Sequence, residues 1–260
     1  MEKKRLILSI TAVMIVFALS LFAVPYFVKQ LPLDLTAKTC LAEVIGGLLS
    51  IAALFFLKKG NTLKFRTEGF KEGMAAGVLI LAVFGLNLLK FIFSGEPVTL
   101  SAFSIVLFLI DMVFIGIMEE ILFRGILQES LHDFFGCASY KNVLKAVITS
   151  SIIFGLAHYM NMFAGVSFKA ASIQVLSVML LGTLFGAIYY RAGRNIWVTI
   201  ILHSLLDLGS FLSSGVLNGV SEAASINDYS FAKFMFFPIY VIVIVWVLRK
   251  EKVKLMPTKK

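Results

Sequence analysis

Eight long apolar runs, separated by short polar stretches, leave this chain few ways to fold. They cover about 6–28, 40–57, 72–94, 101–127, 143–163, 170–190, 196–215 and 231–248. Roughly 20 apolar residues cross the hydrocarbon core of a bilayer, and within it only helices and closed barrels satisfy their own backbone. Barrel strands alternate apolar and polar residues, which these runs do not. The chain is 59% hydrophobic and 15% charged, against about 25% charged in a soluble domain. The expected fold is all-α: a polytopic membrane bundle of about eight transmembrane helices, read as one domain over residues 1–260.

Charge orients the bundle. With the N-terminus cytoplasmic, 19 of the 24 basic residues fall on cytoplasmic segments, and Lys29, Lys38, Lys90, Lys169 and Lys233 stay on the outer side. That asymmetry follows the positive-inside rule and predicts both termini inside. The net charge of +9 is thus a product of topology and of attraction to anionic lipid, and no nucleic-acid motif accompanies it. The first run follows "MEKKR" and lacks a small-residue cleavage site before polar sequence, so it reads as a retained helix rather than a signal peptide. Cys40 and Cys137 fall on opposite membrane sides, and no disulfide is expected. Trp197 opens a span at the cytoplasmic interface, where an indole is at home. Gly73 with Gly77, and Gly182 with Gly186, form GxxxG pairs that permit close helix approach.

Against this apolar background a few ionisable residues stand out: Glu43, Asp111, Glu119, Glu120, Arg124, His158, His203 and Asp207. Each costs about 3 kcal/mol at mid-membrane on insertion scales and marks a functional site by default. Glu120 and Arg124, in "MEEILFRG", are i,i+4 on a helix and can pair. Glu119 is turned about 100° away by the 3.6-residue period and points elsewhere. His203 and Asp207, in "HSLLD", form a second i,i+4 polar face, and His158 stands alone in "FGLAHYM". Asp111 reads as a polar bundle residue, and His132, in the cytoplasmic loop "ESLHDFFG", as surface. At 1.5 Å per residue, Glu119 lies about 8 Å before Arg124, taken as the cytoplasmic edge, and His203 about 10 Å inside Ile196. His158 comes out deeper, about 20 Å from Lys145.

This set permits two routes to peptide hydrolysis. Glu119 with His158 can deprotonate a water while His203 stabilises the oxyanion that develops on the carbonyl. Alternatively, His158, His203 and a carboxylate, Glu119 or Asp207, can hold zinc with an open water position. No "HExxH" is present to favour the second.

"EEILFR", "FGLAH" and "HSLLD" resemble, in order and spacing, the motifs EExxxR, FxxxH and HxxxN or HxxxD of the CPBP family of CAAX proteases and bacteriocin-processing enzymes. The resemblance spans a core of about 101–212. It implies a multi-span intramembrane endopeptidase whose site opens to the cytoplasm. It further implies that Glu119 and His158 activate the water and that His203 with Asp207 binds the oxyanion. Glu120 and Arg124 then support the site, and Phe154 packs against it. In the well-understood CAAX-cleaving members the last position is Asn, whereas this chain has Asp207. An ionised aspartate repels an oxyanion, so Asp207 must carry a proton, orient His203 or bind a metal.

The expected function is cleavage of a membrane-associated peptide or protein substrate, with no firmly implied cofactor and zinc as the metal to test. The competing readings are a non-catalytic immunity or scaffold protein on the same fold and an ion-coupled transporter, since acidic and histidine chains also relay protons. Small size and the absence of matched broken helices in two halves weigh against a transporter. The compact, Lys-rich chain favours a bacterial cell membrane as its place.

Overall fold

A computed structural model describes residues 2–95, 98–136, 139–218 and 220–250, and Cys137 lies outside them. Among the described residues there is no strand. The helices are α1 (Glu2–Ala18), α2 (Val24–Val28), α3 (Leu35–Phe56), α4 (Phe70–Ala76), α5 (Val78–Ser94), α6 (Ala102–Glu120), α7 (Glu129–Phe135), α8 (Tyr140–Ala157), α9 (Phe168–Arg191), α10 (Ile196–Leu212), α11 (Glu222–Asn227) and α12 (Phe237–Val247). Several starts are written locally. Asp34, Ser101, Ser139, Ser167 and Asn195 each accept a backbone N–H in the first turn of α3, α6, α8, α9 and α10, which satisfies donors the helix leaves unpaired.

All eight apolar runs are helical, but several are divided or shortened. Four helices are long and apolar enough to cross a membrane: Glu2–Val28, Leu35–Phe56, Tyr140–Ala164 and Phe168–Arg191. A fifth is added if α4 and α5, bent by 58°, count as one broken span. Helix α10 has 17 residues, about 25 Å at 1.5 Å per residue, slightly less than a bilayer core. The last apolar run splits into a 3-10 turn, Phe231–Phe236, and α12. Large apolar side chains face outward throughout: Phe93 is 82% and Phe163 81% exposed, as lipid contact requires.

Glycines decide where helices meet. Gly73 and Gly77 lie against Ala192, Val198 and Leu202, so a side chain at either would strike the α9–α10 corner. The bend between α4 and α5 falls at Gly77. Gly155 of α8 sits on α9, where an added Cβ would lie 2.9 Å from the Val175 carbonyl oxygen and collide with Met179. Gly155→Ala is expected to lower stability by about 1–3 kcal/mol, because backbone cannot give way as a side-chain tip can. Thermal unfolding in detergent measures it; an unchanged midpoint would show that the α8–α9 contact is looser than drawn.

The helix carrying "MEEILFRG" runs from Ala102 to Phe135 without a stop. Its middle, Ile121–Gln128, is a π-helix in which every residue is buried. Such segments use i→i+5 hydrogen bonds and commonly mark functional positions. Arg124 is therefore not at the end of its helix: it is 2% exposed, and the helix continues to Phe135. Measured from that end, Glu119 is about 24 Å deep, close to the depth of His158 along α8. The mismatch with His158 thus came from the reference point used for Glu119, not from His158.

One end of the bundle is clamped by polar contacts. Arg194 pairs with Glu129 at 3.1 Å and Lys59 with Asp133 at 2.9 Å. Trp197 donates its indole N–H to the Leu63 carbonyl at 2.8 Å, tying the segment before α4 to the start of α10. His132 is not a surface residue. It is fully buried, with its ring 5.7 Å from Tyr190, because α7 continues the buried π segment.

Candidate active site

Three elements bring the expected residues together. Glu119 and Glu120 close α6, His158 opens the 3-10 turn His158–Ala164 after α8, and His203 and Asp207 lie one turn apart on α10. The Glu119 carboxylate stands between both imidazoles: Oε1 is 3.8 Å from His158 Nε2 and Oε2 is 3.4 Å from His203 Nε2. Asp207 Oδ2 is 3.4 Å from the same nitrogen of His203. His158 and His203 are 7% and 6% exposed, so both imidazoles are buried between the helices.

The tautomers follow from the partners. His158 Nδ1 lies 2.9 Å from the Phe154 carbonyl oxygen. A carbonyl can only accept, so Nδ1 carries the hydrogen and the neutral ring presents Nε2 as an acceptor toward Glu119. His203 Nδ1 lies 2.7 Å from Glu120 Oε1 and donates to that carboxylate. Glu120, not Asp207, thus orients His203 through Nδ1, and Asp207 meets the ring at Nε2.

Glu120 has a second task. The same Oε1 accepts from Arg124 Nη1 at 2.8 Å, with Glu120 0% exposed. Arg124 Nη2 donates to the Gly182 carbonyl of α9 at 3.2 Å, and its guanidinium lies 4.6 Å from the Phe154 ring centre. A buried arginine needs such a cage, since an uncompensated charge inside a protein is costly. Phe154 itself stands edge-on to His158 at 4.9 Å between ring centres. The i,i+4 spacing of "MEEILFRG" had indicated the Glu120–Arg124 pair; nothing local indicated its link to His203, 83 positions away.

Two further residues belong to these surroundings. Gln128, one step beyond Arg124, donates to the Gly186 carbonyl at 3.2 Å. Phe185 stacks on His203 with ring centres 4.8 Å apart and planes 17° off parallel. Gln128 carried a sequence signal, being a polar residue spaced four from Arg124 in an apolar run; Phe185, among 25 phenylalanines, carried none.

Zinc needs donors about 2 Å from one common point, at least three of them from the protein. Among the described residues no three His, Cys, Asp or Glu side chains are so arranged.

Residues 101–209 match the family model described as type II CAAX prenyl endopeptidase Rce1-like. The match covers all three motifs, and the resemblance read from "EEILFR", "FGLAH" and "HSLLD" is borne out over that core. No curated protein and no solved structure matches the chain.

Proposed function

Because the motif-bearing core matches the CAAX protease family, we propose that this protein is an intramembrane endopeptidase that cleaves a membrane-associated peptide or protein with activated water. One observation carries the reading: a single carboxylate, Glu119, lies within ion-pair distance of two buried imidazoles. That is the arrangement a hydrolytic water requires, with a base on one side and a donor to the developing oxyanion near by.

In the proposed reaction a water sits between Glu119 and His158 Nε2. Glu119 takes its proton as the oxygen bonds to the scissile carbonyl carbon. His203, holding its Nδ1 hydrogen on Glu120 and a second on Nε2, donates from Nε2 to the tetrahedral oxyanion. The intermediate collapses as the C–N bond breaks, and Glu119 returns the proton to the leaving amine. Asp207 supports the Nε2 side of His203. The site opens toward the cytoplasm, the lipid bilayer is the protein's surroundings, and a bacterial cell membrane is its place. A prenylated C-terminus, named in the family description, is one substrate to test among lipid-anchored and membrane-embedded peptides.

The test is comparative peptidomics of membranes from cells producing the wild type or Glu119→Gln at equal level. Peptide products present only with the wild type are expected. The same products with both chains would overturn the assignment.

The proposed mechanism uses no metal, and Asp207 tests this directly. In Asp207→Asn the amide oxygen can still meet His203 while the formal charge beside the oxyanion is gone. The variant is expected to keep turnover within about tenfold of wild type, a loss well below that from removing a general base. Purified wild type is expected to hold substoichiometric metal by elemental analysis. Stoichiometric zinc, lost together with activity in Asp207→Asn, would make Asp207 a ligand instead.

A further inference from the structure

The reaction above uses groups on α6, the turn after α8 and α10, yet the side chain most closely stacked on His203 comes from α9. Phe185 is 1% exposed, and its ring lies nearly parallel to the imidazole at 4.8 Å. This is the offset-stacked arrangement favoured by aromatic pairs, and it adds a cation–π component when the imidazole is charged. A hydrogen bond to Glu120 at 2.7 Å fixes where Nδ1 goes, but one hydrogen bond leaves the ring free to tilt about that line. A flat ring laid against its face removes this freedom.

The place of Phe185 is itself built. It lies between Gly182 and Gly186, the GxxxG pair of α9. Both glycine carbonyls are held by the π segment: Gly182 by Arg124 and Gly186 by Gln128. Gln128 is 0% exposed, and its Oε1 also accepts from Ser150 of α8 at 3.3 Å. A Cβ on Gly186 would come 2.6 Å from Gln128 Oε1, and one on Gly182 would come 2.9 Å from the Phe154 ring. These glycines therefore do more than let helices approach. They expose backbone oxygens to a polar ladder, Glu120–Arg124–Gln128, which sets the register of α9 against the catalytic helix.

We propose that Phe185 is a positioning residue of this site, holding the plane of His203 so that Nε2 faces Glu119 and Asp207, with the Arg124 and Gln128 contacts to Gly182 and Gly186 fixing its ring. The proposal rests on the protease reading for its kinetic consequence but not for its geometry. Phe185→Leu is expected to lower kcat about tenfold or more, as small misplacements of a reacting group do, with KM changed less than twofold. Leu184→Ala, at the neighbouring fully buried position, perturbs packing away from the imidazole and should keep kcat.

A second readout needs no substrate. The chain has three histidines, so selective isotope labelling gives three ring signals, and His203→Gln identifies one of them. In Phe185→Leu the His203 ring protons should move downfield as the shielding ring is removed, with those of His132 unmoved. Gln128→Leu should move them in the same sense but less. Should Phe185→Leu fail to fold, Phe185→Met keeps comparable volume without a ring and carries the same comparison. Unchanged His203 signals in a folded variant, or an equal kcat loss in Leu184→Ala, would overturn the proposal. If Glu119→Gln cleaved as well as wild type, the protease reading would fail while the ring signals still reported on Phe185.

Discussion

Glu119→Gln is expected to lower turnover by about 10²-fold or more while leaving the fold intact. The amide matches the carboxylate in shape but cannot take a proton from water, so the base is lost and little else. Stability should hold because the hydrogen-bonded partner of the buried cation Arg124 is Glu120, at 2.8 Å. Glu120→Gln is the informative companion. Its amide oxygen can still accept from His203 Nδ1 and from Arg124, so more turnover should survive. Both variants are compared on one substrate at equal protein concentration, with thermal unfolding measured alongside. Equal loss, or a greater loss at Glu120, would contradict the roles assigned to the two carboxylates.

The largest effect on stability is expected from Glu120→Ala, at about 3–5 kcal/mol, the usual result of removing one member of a buried ion pair. Arg124 would then be left 2% exposed without its hydrogen-bonded carboxylate, beside the Gly182 carbonyl and two aromatic faces. Replacing both partners, as in Glu120→Leu with Arg124→Met, should recover much of that loss, because apolar side chains of similar volume remove the unpaired charge. Activity should not return with it, since His203 Nδ1 would have lost its acceptor. Unfolding midpoints in detergent for the two single variants and the double variant separate these effects. A double variant as active as the wild type would show that Glu120 serves the fold alone.

Much of this was legible from sequence because helical geometry is local. The i,i+4 spacing of Glu120 and Arg124 fixed their pairing, and the 100° offset of Glu119 freed it for another partner; the structure has the pair at 2.8 Å and Glu119 facing two histidines. The spacing of His203 and Asp207 likewise put both on one face of α10, where they lie 3.4 Å apart. Capping residues such as Ser101 and Ser167 announce the starts of α6 and α9 for the same reason.

Other features depended on which helices meet. Reading His132 as surface failed because polarity along "ESLHDFFG" says nothing of what packs over it; the π segment carries α7 inside, against α8 and α9. The depth of Glu119 was misjudged because Arg124 looked like the end of its helix, whereas it is caged by Glu120, Gly182, Phe154 and Phe185.

By itself, the sequence determined that the chain is a membrane helix bundle and which polar side chains it commits to the apolar interior, since insertion cost and helical period act on near neighbours. Only the tertiary structure decided that Glu120 serves both Arg124 and His203, that Asp207 meets His203 at Nε2, and that Phe185 lies on the imidazole. Those contacts join residues tens of positions apart, and no local rule of spacing can specify them.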